Sequence, residues 1–167
     1  CFTFDNTWNA YPSYKAQMIG AIAELSKAKT YMSTLCAGHT IPLSYTGQQT
    51  GYAAEVRGGT IYFHVFGLSL GAHGTLYTLT HETGHLYAAW ISGKLGTFLY
   101  DAGIKSEGFI CTYLLTQTQA EDFPEMIALF VSHTSNTNNA CLANYKTQYP
   151  NHWQFAHDYI FYNNLDW

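Results

Sequence analysis

TLYTLTHETGHLYAAWI, residues 75–91, has the periodicity of a helix with two unlike faces. His81 and His85 are four residues apart, so a helix places them one turn above each other, about 40° apart around its axis. The residues on the opposite stripe are Leu76, Leu79, Thr83, Leu86 and Trp90. The spacing therefore predicts a helix with one face in the core and a histidine face toward a cleft.

The histidine face carries the arrangement His-Glu-x-x-His, with Glu82 directly after His81. Two imidazoles on one helix face can bind one Zn²⁺, and the glutamate beside them can reach a water on the metal without being a ligand. A zinc site that keeps an open position takes a third protein ligand from elsewhere. The motif thus predicts a metal centre that is completed by another segment.

AEDFPE, residues 120–125, is the candidate for that segment. Glu121 and Glu125 are again four residues apart and share one face of a predicted helix over residues 120–133. The apolar residues face the other way: Phe123, Ile127 and Phe130. We expect Asp122 to face solvent or cap the helix, and Pro124 to lie early in it, where a missing N–H costs little. The residues leave open that these acids only favour a helix N-terminus.

The rest of the chain indicates helices around a small cluster of strands, an α+β fold in a single domain over residues 1–167. Further helices are predicted at 12–35, 142–149 and 153–162. Strands are predicted at 41–45, 52–56 and 60–66, the last two as a hairpin. The glycine-rich segments 67–74 and 92–111 are predicted to be a loop and an irregular region.

Composition excludes several classes of function. Seven basic and eleven acidic residues give a net charge of −4 without a basic run, so no nucleic-acid partner is indicated. No stretch reaches the roughly 18–20 apolar residues of a membrane span. No basic-then-apolar leader opens the chain, so we expect that one was removed or that this is an excised domain. We expect a monomer whose partner is a peptide or protein substrate.

Four dispersed cysteines, with no Cys-x-x-Cys pair, favour two disulfides and a secreted, extracellular protein. Sequence alone permits three pairings. We favour Cys1–Cys36 and Cys111–Cys141, because each pair brackets one segment. Four buried thiols, or a lipid-carrying Cys1, are the alternatives.

The two motifs together, separated by 35 residues between His85 and Glu121, resemble the anthrax lethal factor and Pro-Pro endopeptidase group of zinc peptidases. This resemblance implies a zincin-like fold with Glu121 as third ligand and Glu125 as a residue that supports a ligand histidine. The group places a tyrosine that stabilises the oxyanion seven residues before the ligand glutamate. Here position 114 is Leu, and the adjacent Tyr113 is assigned that role. Pro124 stands where the group usually has Ala.

The resemblance implies a secreted zinc endopeptidase in which zinc activates water and Glu82 is the general base. By analogy with many zinc peptidases, the strand at 60–66 is expected to be the edge strand that pairs with the substrate. Alternatives are a zincin-scaffold module that binds proteins without catalysis, an amidase-like zinc hydrolase, and a closed structural zinc site. Asp101 is a minor rival ligand.

Overall fold

The fold was analysed in a computed structural model, which describes residues 1–91, 93–110, 119–132 and 145–162. It is an α+β fold with one small sheet. The strands are β1 Phe2–Phe4, β2 Ile41–Tyr45, β3 Ala54–Arg57 and β4 Thr60–Phe63. The helices are α1 Pro12–Leu25, α2 Lys29–Leu35, α3 Val65–Ser69, α4 Gly71–Trp90, α5 Lys94–Tyr100, α6 Ala102–Glu107, α7 Gln119–Ser132, α8 Tyr145–Gln148 and α9 Pro150–Phe155, with a 3₁₀ turn at Asn6–Ala10 and a π-helical turn at Ala156–Ile160.

The four strands form one sheet in the order β1-β2-β4-β3. β2 runs parallel to both β1 and β4, whereas β3 is antiparallel to β4. The prediction that residues 60–66 form the edge strand is therefore wrong. β4 lies inside the sheet because β2 pairs with its other side, and its Ile61 and Phe63 are buried in the core. The two strands at the edges of this sheet are β1 and β3.

A two-residue turn joins β3 to β4, as the sequence predicts. Arg57 pairs with Thr60, and the residues between them, Gly58 and Gly59, have φ values of 57° and 82°. A hairpin turn with two left-handed residues matches the twist of the strands and favours glycine at both positions. This turn fixes the register that places Glu55 opposite Tyr62.

The predicted helix at 12–35 is two helices, because the chain leaves helical geometry between α1 and α2. The hydroxyl of Ser26 donates to the carbonyl of Ile22 at 2.7 Å, and Ala28 has ψ 66°. A disulfide joins Cys1 to Cys36, which ties β1 to the end of α2. This pairing is confirmed, whereas Cys111 and Cys141 lie outside the described residues.

Two glycine-rich segments are more helical than predicted. Residues 65–69 form α3 and α4 begins at Gly71, so the loop predicted at 67–74 is wrong, as is the irregular region at 92–111, which contains α5 and α6. Each glycine in a helix costs about 1 kcal/mol relative to alanine, but packing of an apolar face outweighs that cost. The buried residues responsible are Leu68, Phe98 and Ile104.

α4 lies at the centre of the molecule and packs mainly against α7 and α1. Its apolar stripe is buried as predicted except for Trp90, which is partly buried, and Leu79 and Thr83 are fully inaccessible. The phenol of Tyr31, on α2, donates to the hydroxyl of Thr83 at 2.9 Å. One hydrophobic core joins these helices to the sheet. None of the helices in the described ranges is long and apolar enough to cross a membrane.

Candidate metal centre

α4 presents His81 and His85 on one face, one helical turn apart. Their ring centroids lie 5.0 Å apart, and the two side chains are 16% and 27% exposed. Both rings line a cleft of about 560 Å³ between α4, α7 and β3. Because the opposite face of α4 is held in the core, the two imidazoles are directed toward solvent-accessible space.

α7 brings Glu121 to the same place. Its Oε2 atom lies 3.2 Å from Nε2 of His81 and 3.2 Å from Nε2 of His85. One ligand atom from each of the three residues lies within 4.8 Å of the others, so this group can hold a metal ion. Two imidazole nitrogens with one carboxylate oxygen form a donor set that suits Zn²⁺ and leaves a coordination position open.

The approach of the two helices depends on Gly84 and Pro124. A Cβ atom at Gly84 would lie 2.7 Å from both Cα and Cβ of Pro124, closer than carbon atoms pack. Pro124 lies inside α7, after the first turn that holds Glu121 and Asp122, so the expectation that it lies early enough for its missing N–H to cost little is wrong. The missing Cβ of Gly84 therefore lets α4 and α7 approach closely at Pro124, near the contacts of Glu121 with both histidines.

Glu125 lies behind His81 and is buried. Nδ1 of His81 donates to Oε2 of Glu125 at 3.0 Å, and the phenol of Tyr77 donates to Oε1 of the same carboxylate. A carboxylate on the outer nitrogen of a ligand histidine fixes the ring's orientation and its tautomer. The sequence pointed to Glu125 but missed Tyr77. The usable signal was its position four residues before His81, on the same helix face.

Glu82 lies beside the histidines and is only 6% exposed. Burial raises the pKa of its carboxyl, and the charges of His81 and His85 partly oppose that rise. A carboxylate whose pKa is raised is a stronger base than one in water. Glu82 lines the cleft without belonging to the three-residue ligand group.

The metal-free ligands form a charged hydrogen-bonded cluster. Burial lowers the pKa of His81, but hydrogen bonds to Glu121 and Glu125 outweigh it and raise the pKa to about 10. Hydrogen bonds from His81 and His85 hold the pKa of Glu121 well below its usual range. In the absence of metal, His81 is therefore protonated at neutral pH, and a cation bound by its Nε2 atom must displace that proton.

The edge strand β3 forms one wall of the cleft. Ala54, Glu55 and Val56 line it opposite α4, and Tyr52 lies at its entrance with 48% of its surface exposed. Within the described residues, β3 pairs only with β4. Its other side therefore offers backbone N–H and C=O groups beside the histidines.

Three sequence predictions fall elsewhere. Tyr113 lies outside the described residues. Asp101 caps α6, accepting a hydrogen bond from the backbone N–H of Ile104 at 3.0 Å, and it does not line the cleft. Asp122 does not face solvent: it is 4% exposed and accepts hydrogen bonds from the backbone N–H of Ile110 at 2.9 Å and from His152 at 3.0 Å.

The chain matches no known protein family, no characterised protein and no solved structure at a significant level. The resemblance to the lethal factor and Pro-Pro endopeptidase group therefore depends on the two motifs alone.

Proposed function

We propose that this protein is a secreted zinc-dependent endopeptidase with a zincin-like fold. The observation that carries the proposal is the convergence of His81, His85 and Glu121 in an open cleft, with the buried carboxylate of Glu82 beside them. Only three protein donors meet there among the described residues. A structural zinc site is normally closed by four protein ligands, so an open site favours catalysis.

The ligands would be Nε2 of His81, a ring nitrogen of His85 and a carboxylate oxygen of Glu121. When bound, Zn²⁺ acts as a Lewis acid that polarises the scissile carbonyl and lowers the pKa of water at the site toward about 7. Glu125 and Tyr77 hold the ring of His81 in the orientation that binding requires.

Glu82 is the general base of the proposed mechanism. Its carboxylate takes a proton from the attacking water and delivers it to the leaving amine, so one side chain serves both proton transfers. The raised pKa of Glu82, caused first by burial, makes its carboxylate a stronger base, as the proposed proton transfer requires. The resemblance assigns stabilisation of the oxyanion to Tyr113.

An extended peptide is the substrate that fits this cleft. The outer side of β3 runs along the wall opposite α4, and an added strand there would gain main-chain hydrogen bonds irrespective of its side chains. Secretion is supported by the disulfide between Cys1 and Cys36, since disulfides persist in oxidising compartments.

The test compares the natural chain with the Glu82→Gln variant. Zinc content is measured first, and cleavage of a mixed-sequence peptide library second. We expect one zinc per chain in both proteins and cleavage by the natural chain only. Equal cleavage by both would refute the role of Glu82. One zinc without cleavage in either would favour a zincin-scaffold binding module, and no zinc would refute the proposal as a whole.

A further inference from the structure

A second polar cluster joins α6, α7 and α9 and is largely buried. His152, on α9, has no exposed surface, and its two ring nitrogens contact two different carboxylates. Nδ1 lies 2.7 Å from Oε2 of Glu107, at the end of α6, and Nε2 lies 3.0 Å from Oδ2 of Asp122, in α7. The imidazole therefore joins three helices, one of which carries Glu121.

The hydrogen bonds of this cluster leave little freedom to its members. Glu107 also accepts the backbone N–H groups of Asn151 at 2.6 Å and His152 at 3.1 Å, which fixes the carboxylate against the start of α9. The second oxygen of Asp122 accepts the N–H of Ile110. Breaking the cluster would therefore leave buried polar groups without partners.

We infer that His152 is a positioning residue: through Asp122 it fixes the rotation of α7 and so the direction of Glu121. The inference rests on the proposed function, because it takes Glu121 as a metal ligand. Asp122 and Glu121 are neighbours on the first turn of α7, one directed into the protein and the other into the cleft. Fixing the side chain of Asp122 therefore also fixes the direction of the Glu121 side chain.

A small rotation of α7 would displace the Glu121 carboxylate by more than a metal site tolerates. The Cα atoms of a helix lie about 2.3 Å from its axis, and an extended glutamate side chain places its carboxylate about 6 Å from that axis. A rotation of α7 by about 10° would thus move the Glu121 carboxylate by about 1 Å. Metal–ligand distances vary by only about 0.2 Å in well-formed sites. Glu121 is one-third exposed and contacts His81 and His85, which would bind the same metal ion. The position of its carboxylate therefore depends on the orientation of α7.

The test measures zinc affinity by competition with a chelator, at a temperature where every variant is folded. We expect His152→Gln to weaken zinc binding by about 10- to 100-fold, the usual effect of losing a residue that orients a ligand. The matched control is Phe155→Leu, which alters a buried residue on the same helix that packs against Phe98. The control should lose stability but keep zinc affinity within about twofold.

A double-mutant cycle separates positioning from a general loss of stability. If His152 acts through Asp122, adding His152→Gln to Asp122→Asn should cause little further loss of zinc affinity. Fully additive losses would overturn the inference, as would a folded His152→Gln protein with natural affinity. If His152→Gln does not fold, Glu107→Gln replaces it: affinity should fall by several-fold, and an unchanged affinity would overturn the inference.

These outcomes are distinct from failure of the proposed peptidase. A natural chain that binds zinc but cleaves nothing would refute the endopeptidase, while the affinities of the variants would still decide the role of His152. Substitution of Co²⁺ gives a second readout, because its absorption spectrum reports the geometry of the ligands. His152→Gln should change that spectrum and Phe155→Leu should not. A natural chain that binds neither metal would refute both proposals.

Discussion

Substituting Gly84 by alanine should damage the metal centre far more than the fold. The new Cβ would lie 2.7 Å from two carbon atoms of Pro124, whereas carbon atoms pack at about 3.5–4.0 Å. α4 and α7 must therefore move apart locally by about 1 Å. Glu121 lies on one helix and its partner histidines on the other, so the ligand group must widen by a similar distance.

The expected effect on stability is small because two contributions oppose each other. Overpacking of this kind costs about 1–3 kcal/mol. Alanine in place of glycine inside a helix contributes about 1 kcal/mol in the other direction. The net loss in the free energy of unfolding is therefore about 0–2 kcal/mol. A widening of about 1 Å is several times the tolerance of a metal site, so zinc affinity should fall by at least about tenfold.

Thermal unfolding and chelator competition measure the two quantities separately. Gly20→Ala is the matched control, since Gly20 lies in α1 with no atom within 4 Å of the position a Cβ would take. The control should be slightly more stable than the natural chain and should bind zinc equally well. A Gly84→Ala protein whose zinc affinity is within about twofold of the natural value would refute the reasoning.

Three further results are expected. Glu125→Ala removes the acceptor of the His81 Nδ1 proton, so zinc affinity should fall by about 10- to 100-fold in chelator competition. An unchanged affinity would show that this hydrogen bond does not orient His81 for metal binding. Because the pKa of His81 is about 10 in the metal-free fold, zinc binding should release close to one proton per chain at pH 7, measured by calorimetry in buffers of different ionisation enthalpy. The stability that this raised pKa gives the metal-free protein is fully present below about pH 6.5 and is lost as the pH rises through 10. Zinc must displace the same proton, so zinc affinity should rise between pH 7 and 9, and a pH-independent affinity would contradict the raised pKa of His81. Replacing Cys1 and Cys36 by serine opens a loop with a sequence separation of 35, which should lower the free energy of unfolding by about 3–4 kcal/mol in urea titration, and a loss below 1 kcal/mol would contradict the loop-entropy argument.

The histidine face of α4 could be predicted from sequence because period and chemistry agree there. Leu79 and Leu86 repeat at helical spacing opposite His81 and His85, and the structure buries one pair and opens the other to the cleft. The pairing of Cys1 with Cys36 followed from the segment that these residues bracket. In these two cases the sequence pattern within one segment was sufficient to predict the structure.

Several predictions that failed concern contacts between distant segments. Nothing local shows that Asp122 would meet His152, 30 residues later, instead of facing solvent. β1 has three residues, too few for an alternating pattern, and its pairing with β2 depends on residues about 40 positions away. The close contact between Gly84 and Pro124 joins two different helices. Each of these features depends on tertiary contacts, which the secondary-structure propensities of the residues do not indicate.

The place of β3 at the margin of the sheet has a consequence for which molecules can enter the cleft. An open strand margin can recruit any chain that supplies an extended segment, including a second copy of the same protein. This margin is only four residues long and carries Glu55 and Arg57, ion-paired at 3.2 Å, so a rigid sheet laid along it would gain few hydrogen bonds and would have to cover both charges. A loose chain can instead thread between β3 and α4. If the protein is the proposed peptidase, we therefore expect it to cleave tails and unfolded loops in preference to folded surfaces.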